Sequence, residues 1–261
     1  MKATLRVEAI SISALVVTVK WYLGKRRFGW LNVDVSTENI YDVQDVKAIA
    51  ELMSLRYLLW DSADILGSIN PGSFSIMVSQ PAILDVLAKK TDRHAIEPYA
   101  SLLRTAFAKT PVNRLDEAEV EEEETPWPNP VPVSISEDMR SPYMIIYVEG
   151  MGRLGISERS VTEFADQHRI FSGSSPSDPF KSICDALNHR HLALYKIPTK
   201  REHEKIEKYG EDGVAQVWRN TAGNMMYIVL PKPELNVLLT CIQGSKGYLA
   251  SQTFVRYRLD H

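Results

Sequence analysis

Residues 3–35 read ATLRVEAISISALVVTVKWYLGKRRFGWLNVDV, and this stretch decides the fold of the first part of the chain. Apolar and polar residues alternate in three successive runs, 3–12, 15–23 and 28–35, which is the pattern of half-buried β-strands. The connections are short, and Gly24 opens the polar turn between the second and third runs. Strands joined by short connections usually pair with each other. The sequence therefore predicts a three-stranded antiparallel meander.

Helices and further strands follow the meander. Apolar residues at helical spacing alternate with short apolar runs that are typical of strands. The predicted elements are a helix over 46–60, a strand over 74–78, helices over 82–90 and 95–108, a strand over 143–149 and a helix over 157–168. This alternation predicts a protein of the α/β or α+β class.

An acidic, proline-rich segment interrupts these elements at residues 116–132. It contains seven acidic residues and no basic residue, and it includes Thr125-Pro126-Trp127-Pro128. Like charges repel, and proline disfavours helix interiors and sheet ladders, so the segment is typical of a solvated loop or linker. Two functional interpretations stay open. The segment is either a tether that competes with nucleic acid for a basic groove, or a docking element for a protein partner through Trp127.

A second turn-rich boundary, Ser172–Pro179, precedes the last part of the chain. This last part predicts a short helix, a charged helix over 200–209, and four or five strands. We therefore expect a first domain over 1–170, with the acidic segment as an insertion, and a small α+β domain over 171–261.

The composition argues against secretion and against a membrane partner. Of the 261 residues 44% are hydrophobic, yet no uncharged apolar run approaches the ~20 residues that span a bilayer. The two cysteines, Cys184 and Cys241, are too few for a disulfide framework, and each stands beside apolar residues. We expect buried free thiols in a cytoplasmic protein.

The net charge of −3 hides an asymmetry along the chain. Residues 1–115 carry 14 basic and 11 acidic residues, and residues 134–261 carry 16 and 15. The seven acidic residues of the acidic segment therefore account for the negative net charge. The remainder is compatible with a DNA or RNA partner, although it is far less basic than most nucleic-acid-binding domains.

Basic and aromatic residues stand together at the tip of the second predicted hairpin. Lys25, Arg26 and Arg27 are followed by Phe28 and Trp30. Cations beside aromatic rings suit phosphate contact and base stacking. The candidate nucleic-acid-binding residues are Lys25, Arg26, Arg27 and Trp30.

The order of predicted elements over 1–170 resembles that of a ribonuclease H-like domain. Two short sequence motifs are also similar to those of the family. Glu51-Leu52 lies on the first predicted helix, and Val78-Ser79-Gln80 ends the fourth strand, where the family has Asp-Ser-Gln. The resemblance implies a mixed sheet flanked by helices. Within it, the strand at 143–149 would be the last strand of the sheet, with the helix from Ser157 behind it.

The resemblance also implies where a catalytic site would lie. The family holds two divalent cations with carboxylates from the first strand, the first helix, the fourth strand and the last helix. Glu51 matches the helix position and Glu8 is the candidate on the first strand, whereas Val78 and Val161 stand near the other two. Because two carboxylates are missing, we expect a non-catalytic, nucleic-acid-associated protein without a cofactor. The alternative is a nuclease that uses Glu8 and Glu51 with magnesium or manganese.

The C-terminal part loosely resembles small bacterial ribonuclease toxins. Such enzymes cut RNA with cationic and acid–base side chains and without metal. The residues that the resemblance would recruit are His203, Lys205, Arg219 and Tyr227. A third alternative is a protein–protein adaptor that docks through the segment around Trp127.

The sequence Gly150-Met151-Gly152-Arg153-Leu154-Gly155 has the glycine spacing of a dinucleotide-binding loop. Such a loop also needs an acidic residue at the end of a second strand about 20 residues on, where the turn cluster Ser172–Pro179 lies instead. We interpret the motif as a glycine-rich turn between a strand and a helix. The cysteines and histidines do not have zinc-site spacing, so we expect no metal site.

Overall fold

The structure, a computed structural model, describes residues 3–24, 27–36, 38, 40, 42–66, 73–90, 95–115, 129–190, 192–196, 203–204, 206–208, 210–220, 225–243 and 255–257. The chain divides into two compact units, 1–142 and 143–261. In the described part of the chain, no helix is long and apolar enough to cross a membrane. The candidate residues Lys25, Arg26 and Lys205 lie outside the described residues, as does most of the acidic segment.

The first unit contains a six-stranded mixed sheet. Its strands are β1 (Ala3–Ser13), β2 (Val16–Leu23), β3 (Arg27–Asp34), β4 (Phe74–Val78), β5 (Val112–Arg114) and β6 (Val131–Ser134). Their order across the sheet is β5-β4-β1-β2-β3-β6. β1, β2 and β3 form the predicted antiparallel meander, whereas β4 pairs in parallel with β1, β5 with β4, and β6 with β3. The meander and the fourth strand are confirmed.

Helices connect the parallel strands. α1 (Val43–Arg56) begins at Asp42, whose carboxylate accepts a hydrogen bond from the Gln44 amide, and it continues into a π-helical turn, Tyr57–Asp61. α2 (Pro81–Leu87) follows β4, with proline in its first turn as predicted.

The predicted helix over 95–108 is shorter in the structure. It consists of a 3₁₀ turn, Glu97–Ala100, followed by a single turn of α-helix, α3 (Ser101–Arg104). The Thr105 hydroxyl donates to the Ser101 carbonyl at 2.6 Å.

Alternation along the strands gives the first sheet two faces. Its buried face carries apolar residues that are at most 1% exposed, namely Leu5, Val7, Val17, Val19, Leu31 and Val33. α1 packs on this face against β1, β2 and β3, and the other described helices of the unit pack against α1, against β5 or against one another. We call the opposite face, which α1 does not cover, the open face.

Gly29 on β3 lies on the buried face, directly opposite Trp21 of β2. A Cβ atom at Gly29 would lie 2.8 Å from the Trp21 Nε1, closer than such atoms approach in proteins. Because Trp21 is packed in the core, we expect Gly29→Ala to lower the free energy of unfolding by about 1–3 kcal/mol. Urea denaturation of both proteins measures this difference, and the added substitution Trp21→Leu, which makes room for the Cβ, is the control. An unchanged midpoint in Gly29→Ala would contradict the packing.

The second unit contains a seven-stranded mixed sheet. Its strands are β7 (Met144–Val148), β8 (Gly152–Ile156), β9 (Leu192–Lys196), β10 (Gln216–Asn220), β11 (Met225–Leu230), β12 (Asn236–Gln243) and β13 (Val255–Tyr257). Their order is β13-β9-β10-β11-β12-β8-β7. α4 (Glu158–Ser172) packs against β12, and α5 (Pro179–Leu187) packs against α4. The chain is therefore a mixed α/β protein with two mixed sheets. The predicted α/β or α+β class is confirmed.

The strand predicted at 143–149 exists, but it belongs to the second sheet. It is β7, which pairs with β8, and β8 pairs in parallel with β12. β7, β8 and α4 thus join the second unit, and the boundary lies after residue 142 rather than after residue 170. Pairing between strands about 80 residues apart in sequence decides this assignment, and no local pattern reports it.

The glycine motif forms a β-hairpin instead of a turn between a strand and a helix. Gly150 has φ +73° and Gly152 has φ +82°, which suits the tight turn between β7 and β8. Gly155 lies inside β8, where a Cβ would approach the Tyr143 Cβ to 3.0 Å. The glycines therefore serve turn geometry and close packing within the sheet.

Candidate nucleic-acid interface

Glu51 lies on α1, and its carboxylate is fully buried. The ladder between β1 and β4 ends two residues before Ala9 and directly before Ser79. The carboxylate accepts the next backbone amides, from Ala9 at 2.9 Å, Ser79 at 3.0 Å and Gln80 at 3.2 Å, and the Ser79 hydroxyl also donates to it. Buried amides need an acceptor. Glu51 therefore ties the end of β1 to the end of β4.

Burial raises the pKa of the Glu51 carboxyl to about 7, although the Ser79 hydroxyl and the three amides each lower it. In the folded protein the carboxyl binds its proton more tightly than in the unfolded chain, where the ordinary pKa is 4.5. The stability linked to this proton is fully present below the unfolded pKa and is lost as the pH rises through the folded pKa.

This linkage predicts a pH-dependent stability that Glu51→Gln removes. We expect the free energy of unfolding of the wild type to fall between about pH 5 and pH 8, since each unit of pKa shift corresponds to about 1.4 kcal/mol. The same titration of Glu51→Gln, which has no carboxyl at this place, is the control for all other titrating groups. Denaturant titrations at a series of pH values measure both slopes, and equal slopes would contradict the assignment.

The structure does not bring Glu8 and Glu51 together. Glu8 lies on the open face of β1, opposite Lys20 of β2, whereas Glu51 lies with α1 on the buried face. Val78 is buried, and Val161 lies on α4 in the second unit. Among the described residues, no group of three or more His, Cys, Asp or Glu side chains is arranged to hold a metal ion.

The C-terminal candidates do not form a shared site either. Tyr227 is 1% exposed in β11, and burial raises the pKa of its phenol well above the ordinary value. It lies opposite Trp218 of β10, so the next residue, Arg219, is on the other face of that sheet. His203 is exposed, and Lys205 lies outside the described residues.

The open face carries aromatic and charged side chains from three neighbouring strands. We call this set the open-face cluster, and its members are Arg6 and Glu8 of β1, Lys20 and Tyr22 of β2, and Phe28 and Trp30 of β3. The register aligns them in two rows across the sheet, one of Arg6, Tyr22 and Phe28 and the next of Glu8, Lys20 and Trp30.

Lys20 lies between two aromatic rings of this cluster. Its Nζ is 4.6 Å from the centroid of the Tyr22 ring and 5.1 Å from that of the Trp30 ring. The centroids of the Tyr22 and Phe28 rings are 6.1 Å apart. Cation–π attraction at these distances keeps the ammonium group near the ring faces. The cluster thus places the Lys20 cation beside aromatic rings, of which Phe28 is 36% exposed and Trp30 is 7% exposed.

The predicted hairpin residues relate to the cluster in different ways. Trp30 is a member of it. Arg27 begins β3 opposite Leu23, and Lys25 and Arg26 stand in the connection between β2 and β3. Lys20 and Tyr22 were not among the residues predicted from the sequence. Their alternation with the core residues of β2 was a signal that could have identified them.

The structure thus defines an α+β protein whose first sheet has a cation–aromatic surface. Comparison with known proteins found no matching family model, no matching curated protein and no matching solved structure.

Proposed function

We propose that the protein binds single-stranded nucleic acid through the open-face cluster and does not cut it. The observation that carries this proposal is the position of Lys20 between the Tyr22 and Trp30 rings, on a sheet face that α1 does not cover. Aromatic side chains stack on bases and cations contact phosphates, and proteins that hold single strands combine the two. Bases in a duplex are already stacked on each other, so such a surface favours single strands.

We also propose that the first unit is a degenerate ribonuclease H-like domain. In support of this, the described elements from β1 to β5 run in the order meander, helix, strand, helix, strand, with the last strand parallel to β4. Glu51 lies on the first helix, and Ser79 and Gln80 follow the fourth strand, as the resemblance expects.

The hydrogen bonds of Glu51 argue against metal-dependent cleavage at this residue. A carboxylate that holds catalytic cations needs oxygen lone pairs free for the metal and other carboxylates close by. Both oxygens of Glu51 instead accept hydrogen bonds, four in all, from the ends of β1 and β4. The residue is engaged in holding the sheet together.

Fluorescence anisotropy with labelled oligonucleotides of about 20 nucleotides tests the proposal. Single-stranded DNA and RNA, the duplexes and the hybrid are each titrated over a range of salt, with manganese or with chelator, and the products are examined on a denaturing gel. We expect tighter binding to single strands, weakening with salt at a slope of about −0.7 per phosphate contact, and no cleavage. Salt-independent binding, or no preference for single strands, would contradict the proposed surface. Manganese-dependent cleavage that is lost in Glu51→Gln would show a catalytic Glu51 instead.

A further inference from the structure

Glu8 is the carboxylate of the open-face cluster, and its charge is not paired with the lysine beside it. Glu8 lies directly opposite Lys20 in the register of β1 with β2. Opposite charges at such positions, with Cβ atoms about 4.5–5.5 Å apart, usually attract each other. The ammonium group of Lys20 lies instead near the Tyr22 and Trp30 rings. In the part of the chain that the structure describes, the Glu8 carboxylate has no other hydrogen-bond or ion-pair partner. Its oxygens can therefore accept hydrogen bonds from a ligand.

The stacking rings of the open face lie in the row next to Glu8. Tyr22 and Phe28 form this neighbouring row with Arg6, two residues along the strands from the row of Glu8. Residues two apart in a strand lie on the same face, about 6.8 Å from each other. Glu8 and Tyr22 are half-buried, and Phe28 is exposed. The edge of a base that stacks on either ring is therefore within reach of the Glu8 side chain.

The bases differ in what their Watson–Crick edges offer to a carboxylate. Guanine carries two neighbouring donors, N1–H and the N2 amino group, and a carboxylate can accept from both at once. Adenine and cytosine have a ring-nitrogen acceptor beside the amino donor, and uracil and thymine have one donor between two carbonyl acceptors. Each of these bases would turn a lone pair towards a carboxylate oxygen. A half-buried carboxylate beside a stacking surface therefore suits guanine.

We infer that the open face selects guanine within a single strand, with the Glu8 carboxylate accepting hydrogen bonds from N1–H and from the N2 amino group. The inference rests on the proposed function, because it names the base that the proposed surface reads. Stacking on Tyr22 and Phe28 tolerates every base, since each base has a π-face. A carboxylate repels phosphates, so a role for Glu8 in the complex is to contact a base and not the backbone. Glu8 is thus the specificity-determining residue of the site.

Anisotropy titrations with matched single strands test this preference. The strands have about 12 nucleotides and consist of thymines, except at regularly spaced positions that carry guanine, adenine, cytosine or hypoxanthine. Hypoxanthine keeps the N1–H donor of guanine and lacks the N2 amino group. We expect the guanine strand to bind about tenfold or more tightly than the adenine and cytosine strands, with the hypoxanthine strand in between.

Glu8→Gln tests whether Glu8 reads the base. The amide keeps the size of the side chain but has one acceptor group and one donor group, so we expect the preference for guanine to be lost. Glu137→Gln makes the same charge change at an exposed glutamate of the first unit, outside the sheet, and is expected to keep the preference. Because the readout is a ratio of affinities, the general effect of charge on backbone binding cancels.

The possible results separate the inference from the proposed function. A Glu8→Gln protein that still prefers guanine, or a Glu137→Gln protein that loses the preference, would overturn the inference. Equal binding of all strands by the wild type would overturn it too and leave the proposed function standing. If the wild type binds none of the strands, both the proposed function and the inference fail.

Discussion

Replacing Tyr22 and Phe28 together by alanine is expected to weaken binding of single-stranded nucleic acid by on the order of 100-fold or more. A base stacked on an aromatic side chain contributes about 1–3 kcal/mol, and about 1.4 kcal/mol corresponds to a factor of ten in affinity. The two rings lie 6.1 Å apart on the open face, outside the buried face that packs on α1. The double substitution therefore removes the stacking surface while the core of the unit stays intact.

Two matched variants make this experiment decisive. Tyr147 of β7 is 73% exposed, so Tyr147→Ala removes an exposed aromatic ring from the second unit and is expected to leave the affinity unchanged. Lys20→Ala is expected to reduce the slope of affinity against salt by about 0.7, the share of one phosphate contact. Anisotropy titrations measure all three variants, and circular dichroism shows that each is folded. Full affinity in the double variant, or an equal loss in Tyr147→Ala, would show that the open face is not the surface that binds nucleic acid.

Glu51→Ala is expected to destabilise the first unit by about 3–6 kcal/mol. The substitution leaves the amides of Ala9, Ser79 and Gln80 without the acceptor that they have in the folded protein. A buried amide without a partner costs about 1–3 kcal/mol, and three of them amount to a large part of the stability of a small domain. Chemical denaturation followed by the tryptophan fluorescence of the first unit measures the loss.

Glu8→Ala is the matched control, because it removes a carboxylate from the same neighbourhood of β1 but from the open face. We expect it to change stability by no more than about 0.5 kcal/mol, as is usual for surface positions. If Glu51→Ala unfolds at the same denaturant concentration as the wild type, Glu51 does not tie β1 to β4, and its burial requires another explanation.

The sequence predicted the meander, the fourth strand and the first helix of the first unit, because alternation and helical spacing are recorded in neighbouring residues, but it did not predict the edge strands β5 and β6. The three strands of the meander, the strand Phe74–Val78 and the helix before it all occur at or near the predicted positions. Alternation also separated Val17 and Val19, which face the core, from Lys20 on the open face.

Long-range pairing was not predictable in the same way. Tyr143–Glu149 has the composition of a strand for any sheet, and only its pairing with β8, and that of β8 with β12, assigns it to the second unit. Gly152 and Gly155 made β8 look like a turn, since glycine is unusual inside strands. In the structure Gly155 lies inside β8, where Tyr143 packs so closely that a Cβ atom would be crowded.

The candidate site was predictable only in part. Trp30 was identified because it follows a basic run, but Lys20 and Tyr22 come from a different strand and meet Trp30 and Phe28 through the register of β2 with β3. Glu51 was identified through the family resemblance, which implies a role in catalysis. Its hydrogen bonds to Ala9 and Ser79 depend on where β1 and β4 end, and this is a property of the folded sheet.

Mapping where a bound single strand touches the protein tests binding at the open face most directly. Single-stranded RNA that carries 5-iodouridine cross-links to aromatic side chains stacked on its bases, and mass spectrometry identifies the peptides. We expect cross-links at Tyr22 or Phe28, the two neighbouring rings of the open face. Cross-links found only within residues 143–261, or no cross-link under conditions in which the RNA is bound, would contradict binding at the open face.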